Sequence, residues 1–375
     1  MSKKREGAAC ARKTSIGGQA LIEGIMMRGP QKSAMAVRNP EGEMVLEVWN
    51  TELPKSKWLK IPLIRGVISF VLSMKAGYKA LMRSAEIAGL EELEEEAKKN
   101  KKKKQSETEE ATAVAEDSAE KTEEKTSDSS PLMSVLMIIA SVLGVALCVL
   151  LFIAIPTFLY GGLTKLFPGL VLKNVALNSL VKSAFEGILK IMILVAYMLL
   201  VSLMKDIRKT FQYHGAEHKT IFCYEHGKAL TVENVRNERR FHPRCGTSFL
   251  ILMLLVGMFV SFFIDPLFIL LTGHVARSFI RVGLRLLLLP IVMGLGYEMI
   301  KLAGKYDNLF TRIISAPGLW LQRVTVLEPT DDMIECAITA FVEVLPENEK
   351  PAAPETVSDE AEESPASAEE SSQAE

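Results

Sequence analysis

The sequence predicts a mostly α fold: a polytopic α-helical membrane protein with about four transmembrane helices, a small N-terminal β-hairpin unit and a cytoplasmic metal-binding loop. Three observations carry this prediction. Apolar blocks of roughly 20 residues, the length a helix needs to cross about 30 Å of hydrocarbon, recur along the chain. The net charge of −1 conceals a sharp segregation of Lys-rich and Glu-rich stretches from windows with no charge at all. Four of the five histidines fall between residues 214 and 242, in one basic loop. A near-neutral chain of this kind offers no electrostatic footprint for nucleic acid, and the partner its composition implies is the lipid bilayer.

Residues 1–50 open with a basic, polar stretch, Met1 to Gly18, that lacks the apolar core of a signal peptide. A Gly-rich and β-hairpin unit follows, with strands at Ala34 to Arg38 and Glu43 to Trp49 around the turn Asn39-Pro40-Glu41-Gly42. Within Gly17 to Pro30, Glu23 and Arg28 stand among glycines and apolar residues. Either this segment is a functional loop that reaches the metal site, or it is a turn opening the hairpin with Glu23 and Arg28 paired.

Residues 55–90 carry a helical period over Ile61 to Ala88, interrupted by Arg65, Lys75, Lys79 and Arg83. That pattern suits an amphipathic or re-entrant helix better than a fifth span. Residues 91–131 are a Glu, Lys, Ser and Thr stretch with too little apolar area to order itself, hence a disordered linker.

Residues 132–204 hold the first two spans, Leu132 to Leu163 with a bend expected near Pro156, and Ala184 to Met204. Glu186 and Lys190, four residues apart, read as a helical ion pair. Residues 247–303 hold the other two, Thr247 to Ile264, ended by Asp265-Pro266, and Phe279 to Ala303. Glu298 either turns a carboxylate into the bundle or snorkels at the cytoplasmic end beside Lys301. Residues 304–346 end in an amphipathic helix, Thr330 to Leu345, with Asp331 and Asp332 at its dipole-favoured start, docked on the cytoplasmic domain. Residues 347–375 form an acidic tail expected to be disordered.

Lys and Arg are retained on the cytoplasmic side, so the loops orient the chain. The loop Lys205 to Gly246 carries nine, whereas the loop between the first two spans carries only Lys165, Lys173 and Lys182. Both termini are therefore expected to be cytoplasmic. The five cysteines are scattered and odd in number, which fits reduced thiols and no disulfide framework.

The chemistry is concentrated in residues 205–246. His214-Gly215-Ala216-Glu217-His218 has the form H-x-x-E-H. On a helix two imidazoles four apart can grip one divalent metal, with Glu217 beside them as a general base. Glu225, roughly 10 Å further along such a helix than His218, is too far to join them. A third or fourth ligand is better sought in His242-Pro243-Arg244-Cys245-Gly246, where H-x-x-C puts an imidazole and a thiolate on one turn. If His214, His218, His242 and Cys245 all bind, a zinc site would be closed and structural; if one stays free, an open position suits catalysis. A solvated helix face carrying a chance five-residue pattern is the plain alternative.

The segments Gly17 to Pro30, Tyr213 to Tyr224 and His242 to Phe249 resemble those of the YqhQ-like bacterial membrane proteins of unknown function. The resemblance covers most of the chain; the charged linker and acidic tail fall outside it. It implies a bacterial cytoplasmic membrane and, as that family is described, a predicted metal-dependent enzyme with its ion at His214 and His218. The expected function is a zinc-type hydrolase acting on a membrane-associated protein or lipid-linked substrate. The competing expectation is a non-enzymatic scaffold or transport protein whose metal is structural.

Overall fold

The computed structural model describes residues 13–51, 57–89, 139, 142–144, 146–274, 278–306 and 308–350. The linker expected at 91–131 and the acidic tail beyond 350 lie outside these residues.

Four strands form one antiparallel meander in the order β1-β2-β3-β4: β1 Gly17–Leu21, β2 Gly24–Arg28, β3 Lys32–Arg38 and β4 Met44–Asn50. The hairpin expected at 34–49 is thus half of a sheet, and the glycine-rich segment before it supplies the other half. Alternation missed these first strands because both faces of the sheet are covered, so apolar residues follow one another without a polar partner face. Ile25, Met27, Ala34 and Ala36 point to one core, while Leu21, Met26, Met35 and Val37 point to another.

The first face is covered by helices that come from much later in the chain. These are α4 (Lys205–Glu225), the short α5 (Val232–Arg236) and α9 (Asp331–Val344), which place Tyr213, Ala216, Cys223, Val235, Ile334 and Phe341 in the same core as the sheet. The segments expected as a hairpin unit, a metal loop and a docking helix therefore form one folded domain. Tyr224 donates to Glu349, and Lys32 bonds Glu347 at 2.9 Å, so the first residues of the expected disordered tail are fixed to this domain.

The second face is covered by α1 (Ile64–Ile87) through Ala80, with Ser84 Oγ accepting from Ile22 N–H at 3.3 Å. At its other end α1 packs on a membrane helix, where a Cβ on Gly66 would lie 3.0 Å from Gly294 Cα, and Arg65 forms a two-point ion pair with Glu298. Glu298 thus ties α1 to this helix.

Among the described residues, four helices are long and apolar enough to cross a membrane: α2 (Val142–Leu166), α3 (Val175–Val201), α6 (Gly246–Thr272) and α7 (Ser278–Lys305). In α2 the bend expected at Pro156 is met by a π-helical turn at Leu150–Ala154, just before the proline removes a donor. Helix α3 starts nine residues earlier than expected, capped by Asn174 Oδ1 accepting from Leu177 N–H at 3.1 Å; its polar first half is helical too. Helix α6 does not end at Pro266. It continues to Thr272 and stops at Gly273, whose φ of +72° suits glycine, because an apolar run follows the proline and keeps the backbone helical. Helix α8 (Leu309–Thr325) packs along α6 at Gly318, where a Cβ would meet Ser248 at 2.4 Å, and leaves Leu309, Phe310, Ile313 and Trp320 exposed.

Candidate metal centre

The site forms where α4, the start of α6 and the end of α8 meet. His214 and His218 stand one turn apart on α4, with ring centroids 4.5 Å apart. Cys245 is the N-cap residue of α6, where the positive end of the helix dipole favours a thiolate. One ligand atom from each of His214, His218 and Cys245 falls within 4.8 Å of the others. His214 Nε2 lies 3.1 Å from Cys245 Sγ.

Both imidazoles are oriented from behind by main-chain carbonyls. His214 Nδ1 bonds Thr325 O at 2.9 Å, and His218 Nδ1 bonds Arg240 O. An N–H directed at a carbonyl from Nδ1 fixes the tautomer that leaves Nε2 as the ligand atom, the usual support of a metal-binding histidine. Burial disfavours a thiolate at Cys245, but the neighbouring His214 and His218 outweigh it and hold the thiol well below its ordinary range. Burial likewise opposes a charged His214, yet Cys245, Glu217 and the Thr325 carbonyl raise it to about 9. A metal ion at His214 Nε2 would therefore have to displace a proton. Two imidazoles and a thiolate are a donor set that suits zinc.

Glu217 is 6% exposed beside this cluster, and its Oε1 accepts from Gly18 N–H at 2.9 Å. Burial raises its pKa, partly offset by the two histidines. Strand β1 approaches so closely here that a Cβ on Gly18 would sit 2.9 Å from Glu217 Cδ. The glycine-rich segment thus does touch the centre, through Gly18. Glu23 and Arg28 neither reach the centre nor pair with each other. Glu23 sits in the β1–β2 turn at φ +48° and pairs with Lys209 at 2.7 Å, while Arg28 lines a groove on the α1 side of the sheet.

His242 is close but turned away from the three-residue group. Its ring centroid is 5.6 Å from that of His218, its Nδ1 accepts from Arg244 N–H at 3.2 Å, and its Nε2 faces Glu225 Oε2 at 3.7 Å. Glu225 is engaged by Arg244 and by Thr14 N–H at 2.8 Å. Burial opposes its charge, but these partners pull its carboxyl down to about 2. The remaining histidine of the loop, His226, pairs with Glu238 at 2.8 Å.

Residues 61–347 match the family described as protein of unknown function, DUF1385. The chain belongs to that family. It is also 33% identical over 336 residues to the uncharacterized protein YqhQ of Bacillus subtilis (strain 168), covering 88% of this chain and 92% of that protein. No solved structure matches it. Within the DUF1385 region lie α1, all four long apolar helices, and every side chain of the His/Cys cluster. Neither match names a metal or a reaction.

Two residues of this DUF1385 chain that hold the centre were not singled out by sequence. Gln322, fully buried on α8, accepts from His242 N–H at 2.8 Å and donates to His242 O at 2.7 Å and Ser248 Oγ at 2.8 Å. Thr325, one turn later, supplies the carbonyl behind His214. The available signal was two polar residues three apart, on one face of the helix end, with Arg323 between them on another.

Proposed function

We propose that the protein is a metal-dependent hydrolase of the cytoplasmic face of a bacterial membrane, with a divalent ion, zinc by donor type, on His214, His218 and Cys245. The observation that carries this reading is the three-ligand set with both Nδ1 atoms tied to carbonyls and a buried carboxylate alongside. Closed structural zinc sites take four protein ligands, whereas catalytic ones take three and leave a position open. The chemistry supplied at such a position is Lewis acidity toward water and toward a carbonyl or phosphoryl oxygen.

The side chains then have separate roles. His214, His218 and Cys245 hold the centre. Gly18 N–H fixes one oxygen of Glu217, and the other is the atom that takes a proton from attacking water and returns it to the leaving group. Burial, which raises the Glu217 pKa, suits it to that exchange. Arg240, whose carbonyl holds His218, also lines a cavity of about 660 Å³ with Lys219, Arg239, Arg323 and Trp320. Glu238 and Glu328 also line it, Glu328 pairing with Lys219 and Arg240, so its positive excess falls on Arg239 and Arg323; that excess beside an exposed tryptophan suits an anionic, membrane-associated or lipid-linked substrate. The nine basic residues of the loop support the cytoplasmic placement.

A structural metal in a scaffold protein is the second reading, favoured by the way the ligands come from both α4 and α6 and are braced by α8. Glu217→Gln separates the two because it spares every ligand. Membranes from cells carrying only this variant are expected to accumulate the same uncleaved lipid or peptide species as a deletion strain, with metal content retained. A profile identical to wild type, with metal retained, would sink the hydrolase reading and leave the structural one.

A further inference from the structure

Away from the metal centre, charged side chains lie well inside the spanning helices. Glu186 sits about 16 Å along α3 from Val175, and Arg285 about 10 Å along α7 from Ser278, at 1.5 Å per residue. Glu186 is 1% exposed, and Arg285 Nη1 stands 2.8 Å from its Oε2. The ion pair the sequence suggested, Glu186 with Lys190, is not formed. Glu186 instead faces Arg285, with Lys182 at 4.0 Å, and Lys190 has no ion pair or hydrogen bond among the described residues.

These groups share one space. Ser183, Glu186, Lys190 and Arg285 line a cavity of about 490 Å³ between α3, α6 and α7, whose other walls are apolar, among them Leu254, Met258, Leu288 and Val292. Both Glu186 oxygens and Arg285 Nε are buried without a hydrogen-bond partner of good geometry. Polar atoms left so in a membrane interior are costly and mark a site more often than a scaffold. Among the lining residues Glu186 and Arg285 cancel and Lys190 leaves one positive charge in excess, with Lys182, outside the lining, adding to the positive side. Two lining residues, Leu250 and Leu289, are 41% and 47% exposed on helices apolar enough to span a membrane, so the apolar wall of the cavity continues to the outer surface of the helical bundle.

We propose that this cavity binds a lipid whose head carries a single negative charge on a phosphodiester. The head lies between Lys190 and Arg285, with Ser183 as a hydroxyl donor, and an acyl chain runs along the apolar wall toward Leu250 and Leu289. The charge excess specifies an anion, and the apolar walls and their continuation to the bundle surface specify an amphiphile over a free ion. This site is independent of the metal centre, which sits beyond the other end of α3.

The test uses full-length protein purified in neutral detergent, with phosphatidylglycerol as the anionic probe, phosphatidylcholine as the zwitterionic one and inorganic phosphate as the headgroup without a chain. Native mass spectrometry and thermal unfolding are read together. The expected result is that phosphatidylglycerol is retained and stabilises, while the other two do neither. Lys190→Gln should weaken retention about tenfold, the scale of one lost charge-assisted contact, and Lys190→Arg should restore it. Equal retention of both lipids by the wild type would overturn the proposal, and this comparison holds even if Lys190→Gln fails to fold. Stabilisation by inorganic phosphate alone, or wild-type behaviour of Lys190→Gln, would overturn it as well.

Discussion

Replacing Gly215 by alanine sets two effects of opposite sign against each other. In the interior of a helix such as α4, alanine is favoured over glycine by about 1 kcal/mol, so propensity alone predicts a more stable protein. The surroundings oppose this. A Cβ at Gly215 would lie 1.9 Å from the Leu327 carbonyl oxygen and 3.3 Å from Pro329 Cδ. The first contact is to main chain, which cannot rotate aside, and Leu327 N–H is itself bonded to Phe211 O at 2.9 Å. Overpacking of this kind costs about 1–3 kcal/mol, and losing the Leu327 bond adds about 1 kcal/mol, so the net change is a destabilisation of roughly 1–3 kcal/mol. Pushing Leu327 outward also draws the Thr325 carbonyl from His214 Nδ1, a support whose loss typically weakens metal binding 10- to 100-fold. Unfolding of the detergent-purified variant, with a chelator competition for zinc, reads both quantities. A Gly215→Ala protein that is more stable than wild type, with unchanged zinc affinity, would refute the account of how α4 is seated.

Gln322→Leu leaves the buried His242 N–H and carbonyl without their partners and should destabilise by roughly 2–4 kcal/mol on denaturation, with zinc binding weakened and not abolished. Burial pushes the Cys223 thiol up to about 11 and the Cys336 thiol to about 12, so at pH 8 both are protonated; a maleimide should leave them unlabelled in native protein, while labelling of Cys245 should be suppressed by added zinc. Glu225, with its carboxyl held near 2, contributes stability that is present above its ordinary range and lost as pH falls from about 4.5 toward 2. A Glu225→Gln variant should therefore lose stability at neutral pH and show a flatter acid limb in unfolding measured against pH.

The four spanning helices were legible because roughly twenty largely apolar residues in a row admit few other structures. Their ends were not, since Lys182 on α3 was counted with the loop before the span, and Pro266 on α6 looked like a stop; both judgements weighed single residues against a helix held by its neighbours. His214, Glu217 and His218 were visible because four-residue spacing places them on one helix face before any tertiary structure is known. The choice between His242 and Cys245 was not visible, as H-x-x-C spacing is the same whichever way the His242 ring turns. What turns it is Glu225 and Arg244 on one side and the Gln322 clamp on the other, the last 80 residues away in sequence. The sheet was half seen: β3 and β4 carry a turn between them, whereas the Gly18 contact with Glu217 spans 199 residues and has no local signature.

A metal centre built as proposed has three protein ligands, and His242 is not one of them. Metal content per chain, measured on wild type and on His214→Ala, His218→Ala, Cys245→Ala and His242→Ala after gentle detergent extraction, tests it most directly. About one zinc equivalent in the wild type and in His242→Ala, with most of it lost in the other three, is the predicted pattern. A metal-free wild type at neutral pH, or a loss in His242→Ala as deep as in His214→Ala, would contradict it.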